Sequence, residues 1–131
     1  MPEKSLLLAV GCLATDLDFV RKVGGHIDHD VLFALSCEAA FTAALTFDQK
    51  PACVLVVADA PYMGGLRLAT ALRSRKDTAA CKVVIWSVLD SLDEARRAKI
   101  AGAKGIVHKI PHTLRSARDE EVLRHALSLA S

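Results

Sequence analysis

The sequence predicts an α/β fold: a doubly wound sheet of five parallel strands with helices on both faces. Three observations carry this expectation. Apolar runs of strand length alternate five times with helix-period segments, the pattern of repeated βα units. Two of those runs, CVLVVA and KVVIWS, are apolar nearly throughout, as strands covered on both faces are. The chain has 131 residues, 52% of them hydrophobic, enough for a single core. Right-handed crossovers then favour the strand order 2-1-3-4-5.

The elements follow in order. SLLLAV (5–10) is the first strand, and Thr15, Asp16 and Asp18 can cap a helix that stops at Gly24 and Gly25. DVLFAL (30–35) is the second strand, followed by a helix over 37–46. CVLVVA (53–58) is the third strand, followed by a helix over 65–75. KVVIWS (82–87) is the fourth strand; Ser91 with Glu94 then forms a capping box that opens LDEARRAKIA, and Gly102 closes that helix. GIVH (105–108) is the fifth strand. The last helix covers 117–129, with Ser116, Asp119, Glu120 and Glu121 suited to its positive end. CVLVVA and KVVIWS belong at the sheet centre. In such a sheet a site lies beyond the carboxyl ends of the strands, which directs attention to Gly11, Cys12, Val57 to Asp59, Ser87 and Lys109.

Bulk properties exclude several classes. A net charge of +2 and a pI near 8.4 are too mild for a nucleic-acid footprint. The cysteines, Cys12, Cys37, Cys53 and Cys81, form no CxxC pair and read as reduced thiols in a reducing cytoplasm. No stretch approaches the ~20 apolar residues of a membrane span, and the N-terminus has no cleavage pattern. We expect one domain over 1–131, either free-standing or the N-terminal part of a longer regulator. No GxGxxG, no GxxxxGK[ST] and no nucleophile elbow is present, so nothing supports an enzyme. His26 and His29 in HIDH read as surface histidines, not as zinc ligands. His108 and His112 flank the loop after the fifth strand.

VLVVADAPYMGGL, VVIWS and AGAKGIVHK, at these separations, resemble the receiver domain of bacterial two-component response regulators over nearly the whole chain. The resemblance implies a flavodoxin-like (βα)5 topology. It further implies an acidic pair after the first strand and an aspartate after the third that together hold Mg²⁺. The aspartate would attack a phosphoryl donor, and a Ser or Thr and a Lys would receive the phosphate oxygens. A metal and an ammonium are needed because a carboxylate nucleophile repels dianionic phosphate.

The sequence departs from that pattern on its chemical side. Gly11 and Cys12 stand where the two carboxylates belong, and neither is the hard oxygen ligand Mg²⁺ prefers. Asp16 and Asp18 lie further on, where they better serve the first helix's N-terminus. Counting back from Pro61 and from Gly65 puts Val57 at the acceptor position; Asp59 takes that role only if the loop is two residues shorter. Ser87 and Lys109 match the family's hydroxyl and lysine, and we expect Lys109 to pair with Asp59 in place of metal and phosphate. Ile106 holds the place of the aromatic switch residue. Ile110 follows Lys109, with the proline delayed to Pro111, so we expect a trans Lys109–Ile110 bond.

The expected function is that of a degenerate receiver: a phosphorylation-independent protein-interaction module in a bacterial signalling pathway, without a cofactor and with Mg²⁺ binding absent or weak. Its expected interaction surface is the face of the fourth helix, fifth strand and fifth helix, with Arg96, Arg97, Lys99, Lys104, Arg115 and Arg118. That face suits an acidic protein partner or a second copy of the chain. Two alternatives stay open. One is an atypical phospho-acceptor using Asp59; the other is a sensor of anionic nucleotides using Lys109, Arg115 and Arg118, in which the long stretch KIPHTLRSAR contacts the ligand.

Overall fold

A computed structural model describes residues 4–58, 63–88 and 92–130. Five parallel strands, β1 (Ser5–Val10), β2 (His29–Ala34), β3 (Cys53–Ala58), β4 (Lys82–Ser87) and β5 (Gly105–His108), form one sheet in the order β2-β1-β3-β4-β5. Helices α1 (Leu17–His26), α2 (Cys37–Thr46), α3 (Met63–Arg73), α4 (Leu92–Ala101) and α5 (Ala117–Ala130) connect and cover it. This is the predicted architecture, with β3 central and β4 beside it. Among the described residues no helix is long and apolar enough to cross a membrane.

The period of two in each strand divides the core. Leu8, Val10, Val54, Val56, Val83 and Ile85 face α2, α3 and α4, whereas Leu7, Ala9, Leu55, Val57, Val84 and Trp86 face Val20 and Val23 of α1 and Leu123 and Leu127 of α5. Strand β2 alternates between half-buried and exposed residues because it is an edge.

Helix α1 corrects the expected stop at Gly24 and Gly25. It runs through both glycines to His26, and the chain leaves it with Asp28 in the left-handed region at φ 58°. Gly24 is instead a packing residue: a Cβ there would come within 2.3 Å of Val31 Cγ2. Strand β2 lies one residue earlier than expected, at His29–Ala34, leaving Leu35 exposed beyond it. Helix α3 begins two residues earlier than predicted and ends at Arg73, where the buried Thr78 hydroxyl donates to the Leu72 carbonyl at 2.8 Å.

The predicted chemistry holds at Gly102 and at the start of α5, and α2 adds a cap at Ser36 that the sequence reading did not name. Ser36 caps α2 by accepting from the Ala39 N–H at 3.1 Å. Gly102, at φ 98°, ends α4, and the Ala103 N–H returns to the Ala98 carbonyl at 2.9 Å. The Ser91 half of the α4 capping box lies outside the described residues. At the start of α5 the Asp119 carboxylate accepts from both the N–H and the hydroxyl of Ser116.

The two adjacent glycines of α1 make opposite predictions. Gly24→Ala should destabilise by about 1–2 kcal/mol, because overpacking against the stiff Val31 outweighs the gain in helix propensity. A Cβ on Gly25 would meet nothing within 4 Å. Gly25→Ala should therefore stabilise by about 0.5–1 kcal/mol, and urea unfolding of the two variants checks both signs.

Candidate functional site

The carboxyl ends of β1, β3, β4 and β5 meet where sequence placed the site, but the group that organises this end is Asp16. Strand β1 stops at Gly11, whose φ of 73° turns the chain, and whose N–H bonds the Ala34 carbonyl at 2.9 Å. A short 3-10 turn, Ala14–Asp16, then leads into α1. That turn swings the Asp16 side chain inward, where it is fully buried.

Three donors converge on this carboxylate. Lys109 Nζ lies 2.9 Å from Oδ2, Arg115 Nη2 lies 2.7 Å from Oδ1, and the Leu13 N–H donates to Oδ2 at 3.0 Å. The side chains of Lys109 and Arg115 are themselves only 4% and 7% exposed. Burial alone would raise the Asp16 pKa; the hydrogen bonds from Lys109, Arg115 and Leu13 together outweigh it and hold the carboxyl below the usual carboxylate range.

An aromatic pair backs the cations. Phe19 of α1 stacks on Trp86 of β4 with ring centroids 5.5 Å apart and planes 12° from parallel. The Arg115 guanidinium carbon lies 4.7 Å from the Trp86 centroid and 4.9 Å from that of Phe19, and Lys109 Nζ lies 5.3 Å from Trp86. Arg115 Nε also donates to the Ile110 carbonyl at 2.8 Å. Lys109 is fixed from the backbone side by its N–H, which donates to the Ser87 carbonyl at 2.6 Å.

The remaining predicted residues fall into four groups. Gly11 and Cys12 are half-buried at the end of β1, and Ser87 is buried beside Lys109. Val57 is 6% exposed and packs with Leu55 and Trp86 in the α1/α5 core, so its place at the end of β3 is filled by hydrocarbon. Ile106 is partly buried against the α2, α3 and α4 core. Arg96, Arg97, Lys99, Lys104 and Arg118 are exposed, on or next to α4 and α5. Asp59 and Pro61 lie outside the described residues, as does the expected Lys109–Asp59 pair. The Lys109–Ile110 bond is trans, since no cis peptide occurs among the described residues.

Two readings need correction. Arg115 is not part of an exposed interaction surface; the stretch KIPHTLRSAR folds it inward onto Asp16. Asp16 does not serve chiefly as a helix cap, since its carboxylate accepts from the preceding Leu13 N–H and from two cations. The sequence reading also missed Phe19 and Trp86. The one available hint was an aromatic next to Ser87 at a strand end, where an indole can lie against a cation.

The donor set bears on Mg²⁺. In the gap-free alignment a glycine, a thiol and a valine stand at the three positions at which the resemblance implies carboxylates, Asp59 being the alternative acceptor outside the described residues, and both Asp16 oxygens are already engaged by nitrogen donors. Among the described residues no group of three or more His, Cys, Asp or Glu could hold a metal ion.

No protein-family model and no curated protein matches the sequence. Solved structures do share its fold. The chemotaxis response regulator CheY4 of Vibrio cholerae superposes with a TM-score of 0.74 at 17% identity, covering 95% of this chain and 100% of its own. A response regulator from Burkholderia multivorans gives 0.71 at 24% identity, over 97% and 94% of the two chains. The phosphorylated cyanobacterial phytochrome response regulator RcpA gives 0.76 at 14% identity, over 98% of each. The chain therefore has the receiver fold.

Asp16→Asn should cost about 3 kcal/mol at neutral pH, because it leaves two buried cations without their shared carboxylate. A depressed carboxyl pKa stabilises the fold above the unfolded-state value of about 4 and ceases to do so as pH falls through the folded-state value. The stability difference between wild type and variant should thus be constant above about pH 5 and shrink below about pH 4. Denaturant titrations across that range check it.

Proposed function

We propose that this chain is a receiver-like signalling module that acts through protein interaction and is not switched by aspartyl phosphate. The observation that carries the reading is the engagement of Lys109 by Asp16. In the resemblance that lysine reads phosphate oxygens; here an internal carboxylate supplies it with an oxygen at 2.9 Å. Val57 in the apolar core and the missing acidic pair at Gly11 and Cys12 support the same reading, since a phosphoryl group would find neither nucleophile nor hard metal ligands at those positions. Mg²⁺ binding is then weak or absent, and the module needs no cofactor and performs no catalysis.

The receiver fold supports a place in a two-component pathway of the bacterial cytoplasm. The partner-facing surface in this reading is the α4–β5–α5 face. Arg96, Arg97, Lys99, Lys104 and Arg118 remain exposed there and suit an acidic protein surface, and a second copy of the chain fits the same face. The nucleotide-sensor reading loses support, because two of its three cations, Lys109 and Arg115, are spent on Asp16.

Incubation with acetyl phosphate and Mg²⁺, and separately with beryllofluoride, tests the proposal by intact mass. Neither wild type nor Asp59→Ala should gain an adduct. A wild-type adduct that disappears in Asp59→Ala would make Asp59 an acceptor and return the module to phosphorylation control.

A further inference from the structure

The three donors around Asp16 converge as a receptor would. A backbone N–H, an ammonium and a guanidinium, each on a different segment, point at one carboxylate over distances of 2.7–3.0 Å. Their positions do not depend on Asp16 alone. Leu13 is fixed by the turn that ends β1, Lys109 by its backbone bond to Ser87, and Arg115 by the Ile110 carbonyl and the faces of Phe19 and Trp86. A guanidinium so oriented suits any oxyanion, carboxylate or phosphate, because the geometry it offers both is the same.

We infer that Leu13, Lys109 and Arg115 form a preorganised site for small oxyanions whose resident ligand is the chain's own Asp16 carboxylate. The site is complete and occupied from within, so phosphate or acyl phosphate in solution competes against a tethered group at high effective concentration. This deepens the reading of a phosphorylation-independent module and rests on it: the lysine implied to read phosphate is withdrawn from solution by a carboxylate 93 residues earlier in the chain. Arg115 is the binding residue that the receiver resemblance does not supply.

Removing the resident carboxylate should open the site. In Asp16→Ala the three donors stay and the carboxylate's volume is vacated, so acetate and inorganic phosphate should raise the unfolding midpoint as ln(1 + [L]/Kd), by about 5 °C at ten times Kd. The fluorescence of Trp86, the chain's single tryptophan, should saturate with the same Kd. Chloride at matched ionic strength should do neither. Wild type should not respond, and Asp16→Ala with Arg115→Met should lose the response.

A flat titration of Asp16→Ala, or an equal response from the double variant or from wild type, overturns the inference. If Asp16→Ala is unfolded in buffer, its circular dichroism in rising acetate replaces the midpoint: recovery of the folded signal supports the site, and no recovery overturns it. The two proposals fail separately. An acetyl phosphate adduct on wild type defeats phosphorylation independence, whereas a flat Asp16→Ala titration defeats only the oxyanion site.

Discussion

One buried carboxylate ties together the functional end of this sheet. Taking the charges of Asp16, Lys109 and Arg115 out of water costs several kcal/mol per ion, and such an arrangement survives only when the charges satisfy one another at close range. Here they do: both carboxylate oxygens are engaged, the guanidinium has a second acceptor at Ile110, and the remaining exposure of each cation is blocked by aromatic rings. The turn after β1, the end of β4, the end of β5 and the connection to α5 are thereby held in one arrangement. A group whose loss would strand two cations is a strong constraint on conformation even where its net contribution to stability is small.

The rest of the fold positions that carboxylate. Helix α1 must lie close to the sheet for the turn before it to carry Asp16 inward, and Gly24 permits that approach by leaving no Cβ against Val31. On the far side of α1, Lys22 and His26 reach Glu120 of α5 at 3.3 and 3.6 Å, so the two helices flanking the α1/α5 core are joined at their surface. Their inner faces bring Phe19 over Trp86. The aromatic stack belongs to the same core that encloses Val57, which explains how the end of β3 tolerates hydrocarbon where the resemblance implies a reactive acid.

Much of this was legible in the residues. Strands buried on both faces read as unbroken apolar runs, and the end of α4 at Gly102 is local backbone chemistry that neighbours three or four residues away decide. The errors arose where a local rule met a tertiary demand. A Gly-Gly pair ordinarily ends a helix, yet at Gly24 close packing had prior claim on the missing side chain, and the helix ended later, at His26. Asp16 resembled a capping residue because helix N-termini favour acids, and only the arrival of Lys109 and Arg115 gave its carboxylate a stronger set of partners.

By itself the sequence determined the layered α/β architecture, the strand order and the sheet end at which Gly11, Val57, Ser87 and Lys109 lie. These follow from periodicity, crossover handedness and the identity of residues at fixed spacings, all of which are properties of the chain as written. The tertiary structure alone decided what Lys109 binds and where Arg115 points. Asp16 and Arg115 stand 99 residues apart, and charge pairing over that separation has no sequence period to announce it. Several carboxylates compete on paper for each cation. Only the folded geometry, by burying Asp16 against both cations, selects it.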